Sequence, residues 1–315
     1  FGLNIQRDQQ QFFVNLVRDP AVAKYFSEGD FTHEILMTGR SSSASRPERL
    51  SLQIYPYGQG RQLLLSRDVT ALEQAEAMRR DFVANVSHEI RTPLTVMSGF
   101  IETLQTLPLD KTAQDKYLNL MADQAQRMQS LVNDLLVLSR IEGSPMPGEH
   151  DWQDVGDLLQ KVKREALLLS AHMANSEQAA HVIDLSWVPV VSISGAASEI
   201  LSAMSNLANN AVRYTPGGAK VEIQASMLDD GSLAVSFQDN GPGIAPEHIP
   251  RLTERFYRVD RSRSRETGGT GLGLAIVKHV MQRHSGELKI ESQLGKGACF
   301  TLVFPAHRVR VSQTP

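Results

Sequence analysis

The chain has 315 residues, enough for two or three domains that each bury a core, and its 41% hydrophobic and 21% charged residues are ordinary for a soluble globular protein. A formal net charge of −3 leaves no basic surplus, so no nucleic-acid partner is expected. The single cysteine, Cys299, excludes an internal disulfide and a multi-thiolate metal site, which makes a reducing, cytoplasmic compartment the default.

Residues 1–70 read as a small α+β module. An apolar helical stretch (Phe12, Phe13, Leu16, Val17) precedes a strand pair in which Leu50 to Tyr55 alternates in period two, Pro56 to Gly60 is turn-rich, and Gln62 to Ser66 returns. The serine-rich segment Ser41 to Ser45 reads as a loop. The exit, Ser66-Arg67-Asp68-Val69-Thr70, resembles the end of a PAS domain, where such a segment leads into a signalling helix. That resemblance implies a PAS-like sensory module over 1–70.

From Ala71 the pattern turns helical, with Ala71, Ala75, Met78 and Phe82 on one stripe, and the helix is expected to run through His88 to about Gln105. Within it lies Ser87-His88-Glu89-Ile90-Arg91-Thr92-Pro93-Leu94. His88 and Thr92 are four apart and share a face, while Glu89 sits about 100° further round, within reach of the same imidazole. A neutral imidazole attacks an electrophile through one nitrogen when the other is held, and Glu89 is placed either to orient the ring or to take its proton. Pro93 has no N–H for the Glu89 carbonyl and crowds that oxygen, which predicts a kink one turn beyond His88. A zinc HExxH site fails because Thr92 stands where the second histidine belongs. A lone helical histidine is by default a solvated or hydrogen-bonded structural residue; here the whole segment resembles the phosphoacceptor box of sensor histidine kinases.

Leu107 to Lys111 breaks the helix, with Asp110 as the expected N-cap of the next. Leu118, Met121, Ala125, Met128, Val132 and Leu135 then alternate spacings of three and four, and Leu131 and Leu138 widen the stripe. A bare hairpin over 71–142 cannot cover both faces, so homodimerisation into a four-helix bundle is expected, with His88 outside. The alternative is an ordinary core stripe within one monomer. Gly143-Ser144-Pro145-Met146-Pro147-Gly148 reads as a linker.

Residues 150–307 form a third segment: helical Val155 to Ala171, extended His181 to Val188, helical Ala196 to Val212, and a hairpin of Lys220 to Met227 with Leu233 to Gln238 across Asp229-Asp230-Gly231. Antiparallel strands with helices predict an α+β sandwich, and the chain as a whole a multidomain α+β protein. Asn206, Asn210 and Arg213 share a helix face; asparagine is usually only solvated, but two amide oxygens and a guanidinium on one stripe suit hydrated Mg2+ and a triphosphate. Asp239-Asn240-Gly241-Pro242-Gly243-Ile244 ends a strand: it is equally a turn signature and a place where the backbone approaches a flat ring, with Asp239 able to accept from an exocyclic amine. Gly268-Gly269-Thr270-Gly271-Leu272-Gly273 opens a helix and offers amides to phosphate, yet matches neither a Walker loop nor a Rossmann fingerprint. Gly295-Lys296-Gly297-Ala298-Cys299-Phe300 leads into a last strand.

In that order the four segments resemble the N, G1, G2 and G3 boxes of the Bergerat-type (GHKL) ATP-binding fold, with Glu254-Arg255-Phe256-Tyr257-Arg258 similar to an F box and Arg261 to Glu266 to a lid that closes over ATP. The resemblance implies ATP and Mg2+ as cofactors. By it, Asn210 binds the metal and Asn206 assists, Asp239 reads adenine, and Arg213 and Arg258 contact phosphates. Tyr214, Gly241, Gly243, Gly269, Gly271, Leu272 and Gly273 fall on the same boxes. Many relatives carry lysine at the position of Arg213, which leaves phosphate contact, lid pairing or both open to it.

Together the segments are identified with the sensor histidine kinases, most similar to the phosphate-regulon sensors. The resemblance implies an ATP-dependent phosphotransferase in which His88 is phosphorylated with help from Glu89, an aspartate of a response regulator receives the group, and Thr92 orients water for the reverse, phosphatase direction; the alternative for Thr92 is back-bonding to its own helix. It also implies a cytoplasmic portion of an inner-membrane-anchored sensor. No run of eighteen apolar residues occurs, and a start at Phe1 rather than Met predicts a fragment with its anchor upstream. Rival readings are a Bergerat ATPase doing conformational work, which would hydrolyse ATP without His88, and a non-catalytic regulator-docking module, which would be indifferent to Asn210→Ala.

Overall fold

The computed structural model describes residues 1, 5–39, 42, 47–174, 179–186, 190–259 and 269–311. The expected lid Arg261 to Glu266, Gly268, and the serine stretch apart from Ser42 lie outside the described residues. The chain divides into two compact units, Phe1–Glu89 and Ile90–Pro315, with one long helix running through the boundary.

The first unit begins with short helices α1 (Ile5–Asp8), α2 (Phe13–Val17) and α3 (Pro20–Glu28). The Asp19 carboxylate caps α3 by accepting from the Ala21 and Val22 amides at 2.8 and 3.4 Å, Pro20 opens its first turn, and Gly29 closes it in the left-handed region. Strands β1 (Ile35–Thr38), β2 (Arg49–Tyr57) and β3 (Arg61–Asp68) form an antiparallel sheet in that order. Val22, Met37, Leu50 and Leu52 build its core, with Phe13, Phe26 and Leu64 packed against them. The chain leaves β3 directly into α4 (Thr70–Thr106): the Val69 amide donates to the Arg49 carbonyl at 2.9 Å, and Asp68 accepts from the Thr70 amide and hydroxyl at 2.9 and 2.6 Å. Those two Thr70 bonds hold the Asp68 carboxyl below its ordinary value.

Helix α4 continues through Pro93, whose ring is buried. In the second unit α5 (Lys111–Gly143) starts where Asp110 accepts from the Ala113 amide at 2.7 Å, and the Phe100 and Tyr117 rings meet across the hairpin with centroids 5.4 Å apart. The apolar stripe of α5 divides in a way its periodicity does not show. Leu118 and Val132 are exposed on the single chain and remain for a partner, whereas Leu131, Leu138 and Ile141 are buried. They share their face with Asp134, which is hydrogen-bonded to Thr270 of the C-terminal domain, so that domain covers this part of the stripe.

The C-terminal domain is an α/β sandwich. Its five-stranded sheet runs β5 (Val182–Ser186), β7 (Lys220–Met227), β8 (Leu233–Asp239), β10 (Gly297–Phe304), β9 (Glu287–Gln293), all antiparallel except β5 with β7. A second sheet joins β11 (Val309–Val311), β6 (Val191–Ser194) and β4 (Trp152–Asp154). Helices α6 (Val155–Met173), α7 (Ala197–Arg213) and α8 (Gly273–Arg283) close the core. On α7 the buried stripe is Ile200, Ala203, Met204, Leu207, Ala208, Ala211 and Val212, which sets Asn206, Asn210 and Arg213 on a neighbouring, half-buried face. The N-terminal end of α7 has no side-chain cap of its own; the fully buried ring of His284 supplies one, its Nε2 accepting from the Ala196 amide at 3.2 Å while Nδ1 donates to the Val280 carbonyl at 2.8 Å.

Candidate functional site

The site is built where the C-terminal end of α7, the end of β8 and the start of α8 converge. Asp239 closes β8, and its Oδ1 accepts from the amides of Gly241 at 2.9 Å and Ala298 at 3.3 Å. Burial pushes this carboxyl above its ordinary value, against the pull of those amides. With Oδ1 occupied, Oδ2 is the oxygen left for a ligand's donor. A Cβ on Gly241 would stand 2.7 Å from Thr215 Cγ2 and 2.9 Å from Asp239 Oδ1, so only glycine leaves this cleft open. Gly243, at φ +70°, lies against the Gln293 carbonyl, and the loop is tied to the next segment by Gly295 N–H to the Pro242 carbonyl at 2.7 Å and Ile244 N–H to Ser292 Oγ at 2.8 Å. The first and last glycine segments are therefore one interlocked floor.

The third segment forms the opposite wall. Gly271, at φ +74°, presses on Phe256, whose amide donates to the Gly271 carbonyl at 2.8 Å. A Cβ on Gly269 would meet the Tyr214 hydroxyl at 2.6 Å, and one on Gly273 would meet Asn206 Oδ1 at 2.5 Å. Asn206 in turn donates from Nδ2 to the Ser202 carbonyl at 2.9 Å. Leu272, fully buried, sits at the N-cap of α8, and no side chain caps the helix there, which leaves amides of the first turn for an anion. Arg213 is half-buried, and burial pushes its guanidinium below its ordinary value against the support of Tyr214 and Asp134. Asn210 and Arg258 are half-buried too.

The residues expected to serve one nucleotide thus gather around α7: Asn206, Tyr214, Gly269 and Gly273 touch through the glycine contacts above, and Asp239 and Gly241 join them through Thr215. A glycine-walled cleft with a half-buried carboxylate at one end and an uncapped helix start with amides and a guanidinium at the other fits a purine nucleotide carrying phosphates. Two contributors escaped the sequence reading. Thr215 walls the cleft and is buried, its hydroxyl donating to the Ala211 carbonyl at 2.7 Å, and Thr270 donates to Asp134 on α5 at 2.6 Å. Their signal was position within the boxes rather than residue type.

His88 lies on α4, exposed, with Glu89 half-buried beside it and Thr92 exposed one turn on. Ser87 bonds back to the Val83 carbonyl at 2.8 Å, so its hydroxyl belongs to its own helix. Among the described residues no helix is long and apolar enough to cross a membrane.

Comparison with known proteins agrees with this geometry. Residues 195–308 match the family of histidine kinase-, DNA gyrase B- and HSP90-like ATPases, and residues 78–144 match the His Kinase A (phospho-acceptor) domain. The chain is 44% identical to the phosphate regulon sensor protein PhoR of Pseudomonas aeruginosa over 98% of its own length and 68% of that protein's. It is 35% identical to PhoR of Haemophilus influenzae over 81% of its length, and 36% identical to the sensor-like histidine kinase SenX3 of Mycolicibacterium smegmatis over 74%. The chain spans 58% and 59% of those two relatives. Among solved structures, the histidine kinase ThkA in complex with the response regulator TrrA shares the fold over 97% of this chain and 89% of that one, with a TM-score of 0.56 at 18% identity. Full-length ShkA in complex with AMPPNP matches over 75% of this chain and 47% of that one, with a TM-score of 0.50 at 27% identity. With a phosphoacceptor helical hairpin and a GHKL ATPase domain in one chain, and a PhoR relative along nearly its whole length, the chain belongs to the sensor histidine kinases, ATP-dependent phosphotransferases of two-component systems.

Proposed function

We propose that this chain is a homodimeric, phosphate-regulon sensor kinase in which His88 is the phosphoacceptor. The observation that carries the assignment is the solvent-exposed imidazole at position 88 inside the Ser87 to Leu94 box, with the Ser87 hydroxyl committed to the Val83 carbonyl and the half-buried Glu89 next in the chain. ATP, when bound, supplies the γ-phosphoryl group. Glu89 holds or takes the proton of the ring nitrogen that does not attack, which keeps the other lone pair available. Asp239 accepts from the adenine amine through Oδ2, Asn210 with Asn206 beside it holds hydrated Mg2+, and Arg213, Arg258 and the amides from Gly269 to Gly273 neutralise phosphate charge. Tyr214 and the glycines Gly241 and Gly243 shape the walls. The receiving partner is an aspartate on a response regulator, and Thr92 orients water for the phosphatase direction.

The first unit, which hands its last strand directly to α4, serves on this reading as a PAS-like sensory module, and a membrane anchor precedes the chain. Domain limits of 1–70, 71–142 and 150–307 follow. Wild type, His88→Gln and Asn210→Ala are to be incubated with γ-labelled ATP and magnesium. Acid-labile label is expected on wild type alone; equal labelling of His88→Gln would remove His88 from its role, and an unlabelled wild type would remove the kinase reading of this chain.

A further inference from the structure

Leu131, Asp134, Leu138 and Ile141 follow one another on α5 at spacings of three, four and three, and the three apolar members are no more than 3% exposed. A carboxylate in the middle of such a stripe is expensive to bury unless it is paired. Burial pushes the Asp134 carboxyl above its ordinary value, and two partners oppose that push: its Oδ2 accepts from the Thr270 hydroxyl at 2.6 Å, and the charge of Arg213 acts on it. Both partners belong to the nucleotide site. Thr270 stands between Gly269 and Gly271, its hydroxyl also accepts from the Leu272 amide at 3.2 Å, and Arg213 ends α7. A hydroxyl of the phosphate-facing loop is therefore engaged by a carboxylate from the helical hairpin, within reach of the charge of Arg213.

We propose that Asp134 is a latch carboxylate that holds the catalytic domain on α5 and competes with the phosphates of the nucleotide for Thr270 and Arg213. This rests on the reading of that cleft as the ATP site. A carboxylate and a triphosphate repel each other, and one guanidinium cannot satisfy both in a half-buried site, so docking onto α5 and phosphate binding oppose each other. By linkage the latch weakens nucleotide binding by the same factor by which nucleotide weakens the latch. The remaining ties do not compete. Glu142 pairs with Arg255 and lies 3.8 Å from His279, and Arg283 donates to the Ser144 and Pro145 carbonyls at 2.9 and 2.6 Å, none of them on Thr270 or Arg213. The phosphate-facing end of the interface can open while the C-terminal end of α5 stays attached. Asp134 is thus a positioning residue for autophosphorylation.

The test uses the full chain and two probes, adenylyl imidodiphosphate with magnesium and adenosine, whose binding is followed by calorimetry. Asp134→Ala and the isosteric Asp134→Asn are expected to tighten the triphosphate analogue on the order of tenfold, while adenosine, which has no phosphate, binds as to wild type. Glu142→Gln cuts a tie without touching Thr270 or Arg213 and is expected to leave both affinities within about twofold. Unchanged or weaker analogue binding in the two Asp134 variants overturns the proposal, as does equal tightening of adenosine, which would mean general loosening. Equal tightening by Glu142→Gln also overturns it, because docking as a whole would then be responsible. Should Asp134→Ala not fold, Asp134→Asn decides alone. If the cleft itself is misread, wild type and Asn210→Ala bind the analogue equally, a result separate from any of these.

Discussion

His284 sits far from the chemistry yet holds the helix that carries Asn206, Asn210 and Arg213. Its ring is fully buried, Gly195 supplies the space it fills because a Cβ there would collide with it, and it caps α7 through Ala196. Replacing it with alanine removes the side-chain acceptor it supplies at that helix start, about 1 kcal/mol, and empties an enclosed ring volume, on the order of 2 kcal/mol. A loss of about 3 kcal/mol lowers the melting temperature of a domain of this size by about 6–12 °C. His284→Gln, whose amide oxygen can still accept from Ala196, should recover part of it. The loss also depends on pH. Burial pushes the imidazole pKa below its ordinary 6.5, against the Val280 carbonyl and Glu199, so the folded chain binds this proton more weakly than the unfolded chain. The stabilisation is fully present above about pH 6.5 and falls as pH drops below it toward the folded value, because the unfolded chain then carries more protons. Urea melts of wild type and His284→Ala at pH 8 and pH 5 should show the gap between them narrowing in acid. A gap of the same size at both pH values, or a variant melting within 2 °C of wild type, would refute the argument that a neutral ring caps α7.

Two further substitutions follow from backbone geometry. Gly243→Ala combines a φ of +70°, which alone costs about 1 kcal/mol, with a Cβ directed into the Gln293 carbonyl, so it should lower both the melting temperature and the affinity for an ATP analogue; calorimetry showing wild-type binding would mean the interlocked floor does not shape the cleft. Asp110→Ala removes the bond from the Ala113 amide that starts α5 and should destabilise the hairpin by about 1 kcal/mol, read as an earlier loss of helical signal on heating, with no change in nucleotide affinity.

The sequence carried the long elements because period and punctuation agree there. The α4 pattern expected from Ala71 to Gln105 is a helix from Thr70 to Thr106, and Asp110 is the cap it was read to be. The hairpin across Asp229-Asp230-Gly231 pairs Met227 with Leu233, as alternation and turn chemistry require. Elements whose stability is tertiary were not legible. Helix α3 is nine residues long, β1 is four, and each gains its stability from packing with Val22 and Met37 in the core of the first unit. In α5 the heptad-like stripe concealed two different customers, because period alone says that a face is buried but not by what. Asp134 was the available clue: an acid between Leu131 and Leu138 needs a donor, and a donor implies a second element over that part of the helix.

The segment Gly143 to Gly148 shows the same limit from the other side. Its glycines, prolines and serine predict a flexible connection, and neither Pro145 nor Pro147 has an N–H with which to join a sheet or helix. Their carbonyls are nevertheless used. Arg283 donates to Ser144 and Pro145 and is paired with Glu199 at 3.0 Å, while Arg308, 4% exposed, donates to Pro147 and Gly148 at 3.3 Å each and to Ser194 at 3.4 Å. Both guanidiniums come from the catalytic domain, so the strap belongs mechanically to that domain, with only Met146 standing clear between the two clamps. Hydrogen bonds from charged donors contribute about 1.5–3 kcal/mol each, which makes free swivelling about this stretch costly. Reorientation of the catalytic domain is then confined to the interface upstream of the strap, where Asp134 meets Thr270, Glu142 meets Arg255 and Leu131, Leu138 and Ile141 are buried, and these polar and apolar contacts together set how readily the domain leaves the hairpin.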